Sequence, residues 1–287
     1  MRYCILKGVS GDRHHFIQAS LLGGFGQTSI GKKQRDADIE LRRRGSATTE
    51  STTPDQVGWE DKLYRLLNAG PGADPDAVDK AWTPLENGYR DAVANLEKYS
   101  TNSADIAWLI SYVCAAGVRH PGFGDAVNRW RAAAGELPLG GDDVQIARLA
   151  FLNTGLVPMA QYRWRIAHSR PGQTRFIIND LGWVYAGDQE MAGRGLYIPL
   201  TSRLAALAWI DPAHPGKVDH QDMRPGTIRW LNAGIWEEAP EFVVGHPDDK
   251  ADLVGLRPAA YVANRVTTGL GAYYGHEAFR PGLFADL

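Results

Sequence analysis

Thiols are scarce in this chain: Cys4 and Cys114 are the only cysteines among 287 residues, and they form no CxxC pair. That excludes a zinc knuckle and a redox dithiol, so both read as inert thiols, with Cys114 inside a core helix. An excess of either charge sign is lacking too. A net charge of -2 and a pI near 6.4 exclude a whole-molecule footprint for nucleic acid or an anionic membrane. Any polyanion has to be met by a local patch. Apolar runs are short: even Ile106 to Val118 is interrupted by polar and small residues and falls short of the roughly 20 apolar residues of a membrane span. Met1-Arg2-Tyr3-Cys4 does not open a signal peptide, so the expected location is the cytosol. There is no HExxH, GxSxG, Walker loop or GxGxxG in a suitable context, which leaves zincin, α/β-hydrolase, P-loop and Rossmann assignments without their signatures. Internal repeats and heptads are absent as well.

What is present suits one sizeable globular domain, residues 1–287, with 44% hydrophobic and 22% charged residues. After Phe25 the chain turns polar, and residues 28–56 are expected to form a mobile loop, because such composition buries too little apolar area to offset chain entropy. Within it Ile39 and Leu41 alternate with charges, as in a short edge strand. Arg42, Arg43 and Arg44 follow. They read either as a solvated strand end or as a phosphate clamp, since guanidinium groups offer planar forks of donors.

Residues 57–160 read as a helical block. Asp74-Pro75-Asp76 is a helix start, Pro84 marks a break and a second start, and Tyr89, Val93 and Leu96 recur at helical spacing. Ser103-Ala104-Asp105 opens another helix with a stripe of Ile106, Leu109, Ile110 and Val113, ending by Val118. Shorter helices are expected over 126–134 and 142–152. From residue 161 the pattern is of strands: Tyr162 to His168, Arg175 to Ile178, Gly195 to Leu200, Leu204 to Ile210 and Phe242 to Val244, with a helix over Thr227 to Glu238. The tail after Val266 carries no clear pattern. The expected fold is therefore α+β, a helical block followed by a mainly antiparallel sheet. Residues 1–27, with the His14-His15 segment, are expected to join the sheet block of 161–287, and Phe176 to Ile178 is expected to be an interior strand.

Two segments have the residue types of proton-transfer or metal chemistry: His14-His15 leading into an apolar run, and Asp180 closing Phe176-Ile177-Ile178-Asn179. On a strand the two histidines face opposite ways, so one of them is the functional residue. In order along the chain, these motifs resemble a bacterial family known as domain of unknown function 4238. His15-Phe16-Ile17 and Leu22 to Phe25 match its opening, with Gln18-Ala19 where the family has Pro-Gln; Trp82, Leu85, Glu86 and Tyr89 resemble its glutamate-bearing helix. Phe176 to Asp180 is similar to its Phe-Ile-Thr-Ser-Asp strand, with Leu181-Gly182 in place of Asn-Pro. Pro199-Leu200-Thr201-Ser202 and Leu231-Asn232 through Val243 complete the series. The family has no settled activity. The resemblance implies a layout and favours His15 over His14.

The expected site is thus His15 with Asp180 as catalytic pair, meeting within direct or one-water reach, and His14, Gln18, Glu86, Asn232 and Arg42 to Arg44 as binding residues. Simpler roles stand beside these: a turn cap or an arginine pair for Asp180, an i,i+4 pair with Arg90 for Glu86, a surface or back-bonded position for Asn232, and a helix-end role for Arg119-His120. His214, His220 and His246 lie in turns without metal-ligand spacing. Three functions compete. The first is an enzyme acting on a phosphodiester or nucleotide, with a divalent cation as candidate cofactor. The second is transfer of an ADP-ribosyl group from a nicotinamide dinucleotide. The third is a binding or immunity module with tryptophan anchors such as Trp183, Trp230 and Trp236.

Overall fold

The computed structural model describes residues 12–154, 159, 161–186, 195–209 and 211–257. Cys4, Ile210 and the tail after Val266 lie outside the described residues. Within them the fold is α+β. Helices α2 (Ala77–Lys80), α3 (Thr83–Glu97), α4 (Ser103–Arg119), α5 (Phe123–Ala133) and α6 (Asp142–Thr154) follow one another. Pro84 sits in the first turn of α3, where its missing N–H costs nothing, and this separates α3 from α2. Asn102 caps α4: its side chain accepts from the backbone of Ala104 and Asp105, while Asp105 accepts from the Asn102 N–H. That helix is buried on nearly every side in its second half and packs against both α3 and α6.

The strands among the described residues form three sheets. Strands β5 (Arg163–His168), β7 (Val184–Ala186), β8 (Gly195–Pro199), β9 (Leu204–Trp209) and β10 (Val218–Asp222) form a five-stranded sheet in the order β10-β5-β9-β8-β7, antiparallel except for the β10–β5 pair. Strands β2 (Ile39–Arg43), β3 (Glu50–Thr52), β6 (Ile178–Asn179) and β11 (Phe242–Gly245) make a four-stranded antiparallel sheet, order β3-β2-β11-β6. Helix α7 (Pro225–Glu238) packs on β6, β7 and β11 and so touches both sheets. No helix among the described residues is long and apolar enough to cross a membrane.

The structure corrects the sequence reading in three places. The His14-His15 segment does not join the sheets built from residues beyond 161; as β1 (Arg13–His15) it pairs antiparallel with β4 (Trp59–Asp61) in a ribbon of its own. Gly58, at φ 68°, turns the chain so that its carbonyl accepts from the Phe16 N–H and continues that pairing. Residues 39–43 are no exposed edge in a loop: β2 is interior, with Glu40 and Arg42 buried. Their charges are tolerated there because Thr49, Ser51 and Lys250 hold the Glu40 carboxylate and backbone carbonyls hold Arg42.

The third correction concerns Phe176 to Ile178. Only Ile178 and Asn179 enter the ladder, and β6 is an edge strand of its sheet. The preceding backbone is satisfied otherwise: the Asn232 amide on α7 donates to the Arg175 carbonyl at 2.8 Å and accepts from the Ile177 N–H at 3.2 Å, while Phe176 N–H donates to Ser202. A helix side chain does here what a neighbouring strand would do. Asn232→Ala should therefore cost about 2–3 kcal/mol, because two buried backbone groups lose their partner. Urea unfolding measures this, and a loss under about 0.5 kcal/mol would show that the amide is dispensable.

Candidate functional site

Strand alternation settles which histidine faces the core. His14 is buried, stacked on Tyr64 with ring centroids 5.5 Å apart, and its Nδ1 accepts the Tyr64 backbone N–H at 2.9 Å. Both uses are structural, which removes His14 from the binding set. His15 faces the other way and is half-buried. Its Nδ1 is buried without a hydrogen-bond partner in the protein. Burial lowers the His15 pKa, opposed by the negative charges of Asp55 and Glu86 and assisted by Arg119 and Arg35. The ring is therefore neutral near neutral pH, the form that accepts a proton.

Beside it lies Arg119, the last residue of α4. Its Nη2 donates to the His15 carbonyl at 2.6 Å and to Glu86 Oε1 at 2.7 Å, and its guanidinium lies 5.6 Å from the centre of the Trp82 ring. The Arg119 side chain is 6% exposed against 35% for Glu86, so the pair joins a buried cation to a carboxylate that still reaches solvent. Glu86 thus pairs across to α4 and not with Arg90 along its own helix. Gln18 leads into α1 (Ala19–Gly23) and donates to the Glu86 carbonyl at 3.1 Å and to Ser20 Oγ at 2.6 Å. Arg119 thus ties His15 to Glu86, distant in sequence, and Gln18 adds a second link from the His15 segment to the Glu86 backbone. Outside this group Arg35 forks onto Asp55, with Nη2 2.7 Å from Oδ1.

The other expected site residues are elsewhere or spent. Among the described residues no direct hydrogen bond joins His15 to Asp180. Asp180 is 1% exposed and accepts from the backbone N–H of Glu241 at 3.0 Å and Phe242 at 3.5 Å, tying the end of β6 to the start of β11. The histidine facing it is His120, whose Nε2 is 3.6 Å from Asp180 Oδ2, beyond hydrogen-bond length. Both are buried, so the pair offers no surface to a substrate. The Gly182 turn that follows has φ 81°, and a Cβ there would meet Tyr112 Oη at 2.4 Å, so this corner is closed by packing.

The arginine cluster is likewise committed. Arg42 donates to the carbonyls of Leu253 and Leu256 near the end of α8 (Lys250–Gly255) and lies over the Trp236 ring at 4.2 Å. Arg44 donates to the carbonyls of Glu237 and Ala239 at the end of α7, and Arg43 pairs with Glu50. Arginines at helix C-termini complement the orphan carbonyls and the negative end of the dipole. This overturns the phosphate clamp for Arg42 and Arg44 and leaves Arg43 as a surface ion pair. Asn232 is spent on backbone, as described above.

Two openings adjoin the group. A cavity of about 10 Å³, enough for one water position, is lined by Phe16, Ile17, Gln18, Leu85, Arg119 and Leu181. Sharing Leu85 and Ala115 with it is an open groove of about 350 Å³ between the start of α3 and α4, with Trp82, Pro84, Trp108 and Ser111 among its walls. Among the described residues no three His, Cys, Asp or Glu side chains cluster as a metal site requires, so the candidate divalent cation finds no ligand set there.

Sequence reasoning missed Arg119 as the organising residue, and the signal was present: a cation directly after an apolar helical stripe, where every neighbouring position is core. It also missed that His168 and His220 meet, which no local pattern records. No family model, curated protein or solved structure matches this chain. With Asp180 holding two backbone donors and no substrate, Asp180→Asn should lower stability by about 1–3 kcal/mol and leave the His15 titration in place. Urea unfolding combined with histidine ring titration by NMR tests this; unchanged stability with an altered His15 titration would restore Asp180 to the site.

Proposed function

We propose that the chain is an enzyme acting on a nucleotide or another phosphodiester by proton transfer at His15, with Glu86 in the partner role that the sequence reading gave to Asp180. The observation that carries this reading is that buried Arg119 ties the His15 backbone to the Glu86 carboxylate, within electrostatic reach of the His15 ring, while Leu85 and Ala115 separate this group from an open groove that none of the three lines. A neutral imidazole accepts a proton from an attacking water or hydroxyl, and a neighbouring carboxylate stabilises the imidazolium that results. Arg119 holds the two elements that carry these groups, and its own charge is spent in doing so. Arg35, half-exposed and within electrostatic reach of His15, replaces Arg42 to Arg44 as the solvent-facing cation, and a phosphate reaches it by exchange with Asp55. The half-buried indole of Trp108 supplies apolar surface for a base or sugar. ADP-ribosyl transfer has lost Asn232 to the fold and is the weaker reading. Kinship with the domain of unknown function 4238 family and a cytosolic location belong to the same proposal.

The test is turnover of a generic phosphodiester and of NAD by the purified chain, with binding followed separately by calorimetry. His15→Ala should reduce turnover about 10²- to 10⁴-fold while nucleotide binding persists. The acid limb of the pH profile should lie below the ordinary histidine value of 6.5. Glu86→Gln should move that limb further down, because it removes a negative charge that raises the His15 pKa. A limb at or above 6.5, or binding without any turnover, would exclude this mechanism, the latter outcome identifying a non-catalytic binding module.

A further inference from the structure

A second histidine cluster lies on the five-stranded sheet, apart from the proposed site. His168 at the end of β5 and His220 on the neighbouring parallel strand β10 share a hydrogen bond, Nε2 to Nδ1, at 3.0 Å. The turn between α3 and α4 closes over them. Tyr99 stacks on His168 with ring centroids 4.0 Å apart and planes 8° apart, its hydroxyl donates to Asp222 Oδ1 at 2.8 Å, and Thr101 Oγ1 lies 2.8 Å from His220 Nε2. Tyr99 has φ 58°, a conformation that a bulky residue keeps only when its surroundings hold it there. The stack and the two side-chain bonds are what hold it.

We propose that the His168–His220 pair is an acid-sensitive latch: neutral, it fastens the α3–α4 turn to the sheet, and on taking up protons it releases the turn. A neutral imidazole pair has one N–H between the facing nitrogens, whereas two imidazolium rings present N–H to N–H and lose the bond. The charged groups facing the pair are Asp222 on β10, opposite His168 in the strand register, and Arg170 just after β5, which is bound to Asp222. Tyr99 and Thr101 face it from the helical layer without charge. Arg203, ahead of β9, is bound to Ser169 Oγ and to the Arg170 and Gln173 carbonyls. Burial, reinforced by His220, pushes His168 down to about 4 against the pull of Asp222, and burial lowers His220 as well. Freed rings return to their ordinary value of 6.5, so between 6.5 and about 4 the released form binds more protons than the latched one. Acid therefore favours release. The turn belongs to the same helical hairpin that carries Glu86 and Arg119, so release loosens the frame of the proposed site at its far end.

Amide exchange on the full chain at about pH 7 and about pH 4.5, corrected for intrinsic rates, tests the latch. Tyr99 and Ser100 N–H groups are bonded within the turn and report on it, and β9 serves as reference. Protection of residues 98–103 should fall at least about tenfold at the lower pH while β9 stays protected. In His220→Gln, which has one titrating ring fewer, the fall should be several times smaller. Should that variant not fold, ring titration of the wild-type histidines decides: midpoints of His168 and His220 below 6.5 support the latch. Midpoints near 6.5 for both, equal turn protection at the two pH values, or loss of protection shared with β9 would overturn it.

Discussion

The guanidinium of Arg119 is the constraint on which the rest of the candidate site depends. A cation withdrawn from water is sustained only by well-placed partners, and this one has the His15 carbonyl, the Glu86 carboxylate and the Trp82 ring. Its own backbone carbonyl accepts the Tyr64 hydroxyl at 2.7 Å, and Tyr64 stacks on His14. One residue thereby joins β1, α3 and α4. Glu86 supplies the compensating charge and the His15 carbonyl a further acceptor, so the three elements are held to one another at this corner, as proton transfer requires.

Elsewhere polar side chains fasten helices to sheets in the same way. Arg42 and Arg44 reach across to the terminal carbonyls of α8 and α7, and Asn232 on α7 stands in for a strand beside residues 175–177. Asp180 performs the complementary task with its two backbone donors. Of these four residues Arg44 and Asn232 bind α7 itself to its neighbours, while Arg42 and Asp180 fasten α8 and the start of β11. Their chemistry resembles that of ligand-binding groups because the backbone they bind offers the same amides and carbonyls that a ligand would.

Histidines show how far environment outweighs identity here. His14 is an acceptor for a backbone amide, His15 is left with an unpartnered nitrogen beside a carboxylate and an arginine, and His168 and His220 bind each other under a strained tyrosine. Burial keeps His15, His168 and His220 toward the neutral form, and what each then does is set by the groups packed against it.

The sequence by itself determined many of the local elements, though not β4, β7 or β10. The helix with the stripe from Ile106 to Val113 and the break at Pro84 reappear, and the runs read as Tyr162 to His168 and Leu204 to Ile210 correspond to β5 and β9, since a helix or strand records its period and its stops within a few neighbours. It also determined that His14 and His15 diverge, because adjacent side chains on a strand must. Only the tertiary structure decided which distant groups meet: β1 with β4 and not with the large sheets, β2 inside its sheet and β6 at its edge, Glu86 with Arg119 and not Arg90, Asp180 facing His120. The physical reason is that charges and hydrogen-bonding groups are indifferent to sequence separation. Once packing removes water, each takes whatever complementary group the fold delivers, and no periodicity along the chain records that choice.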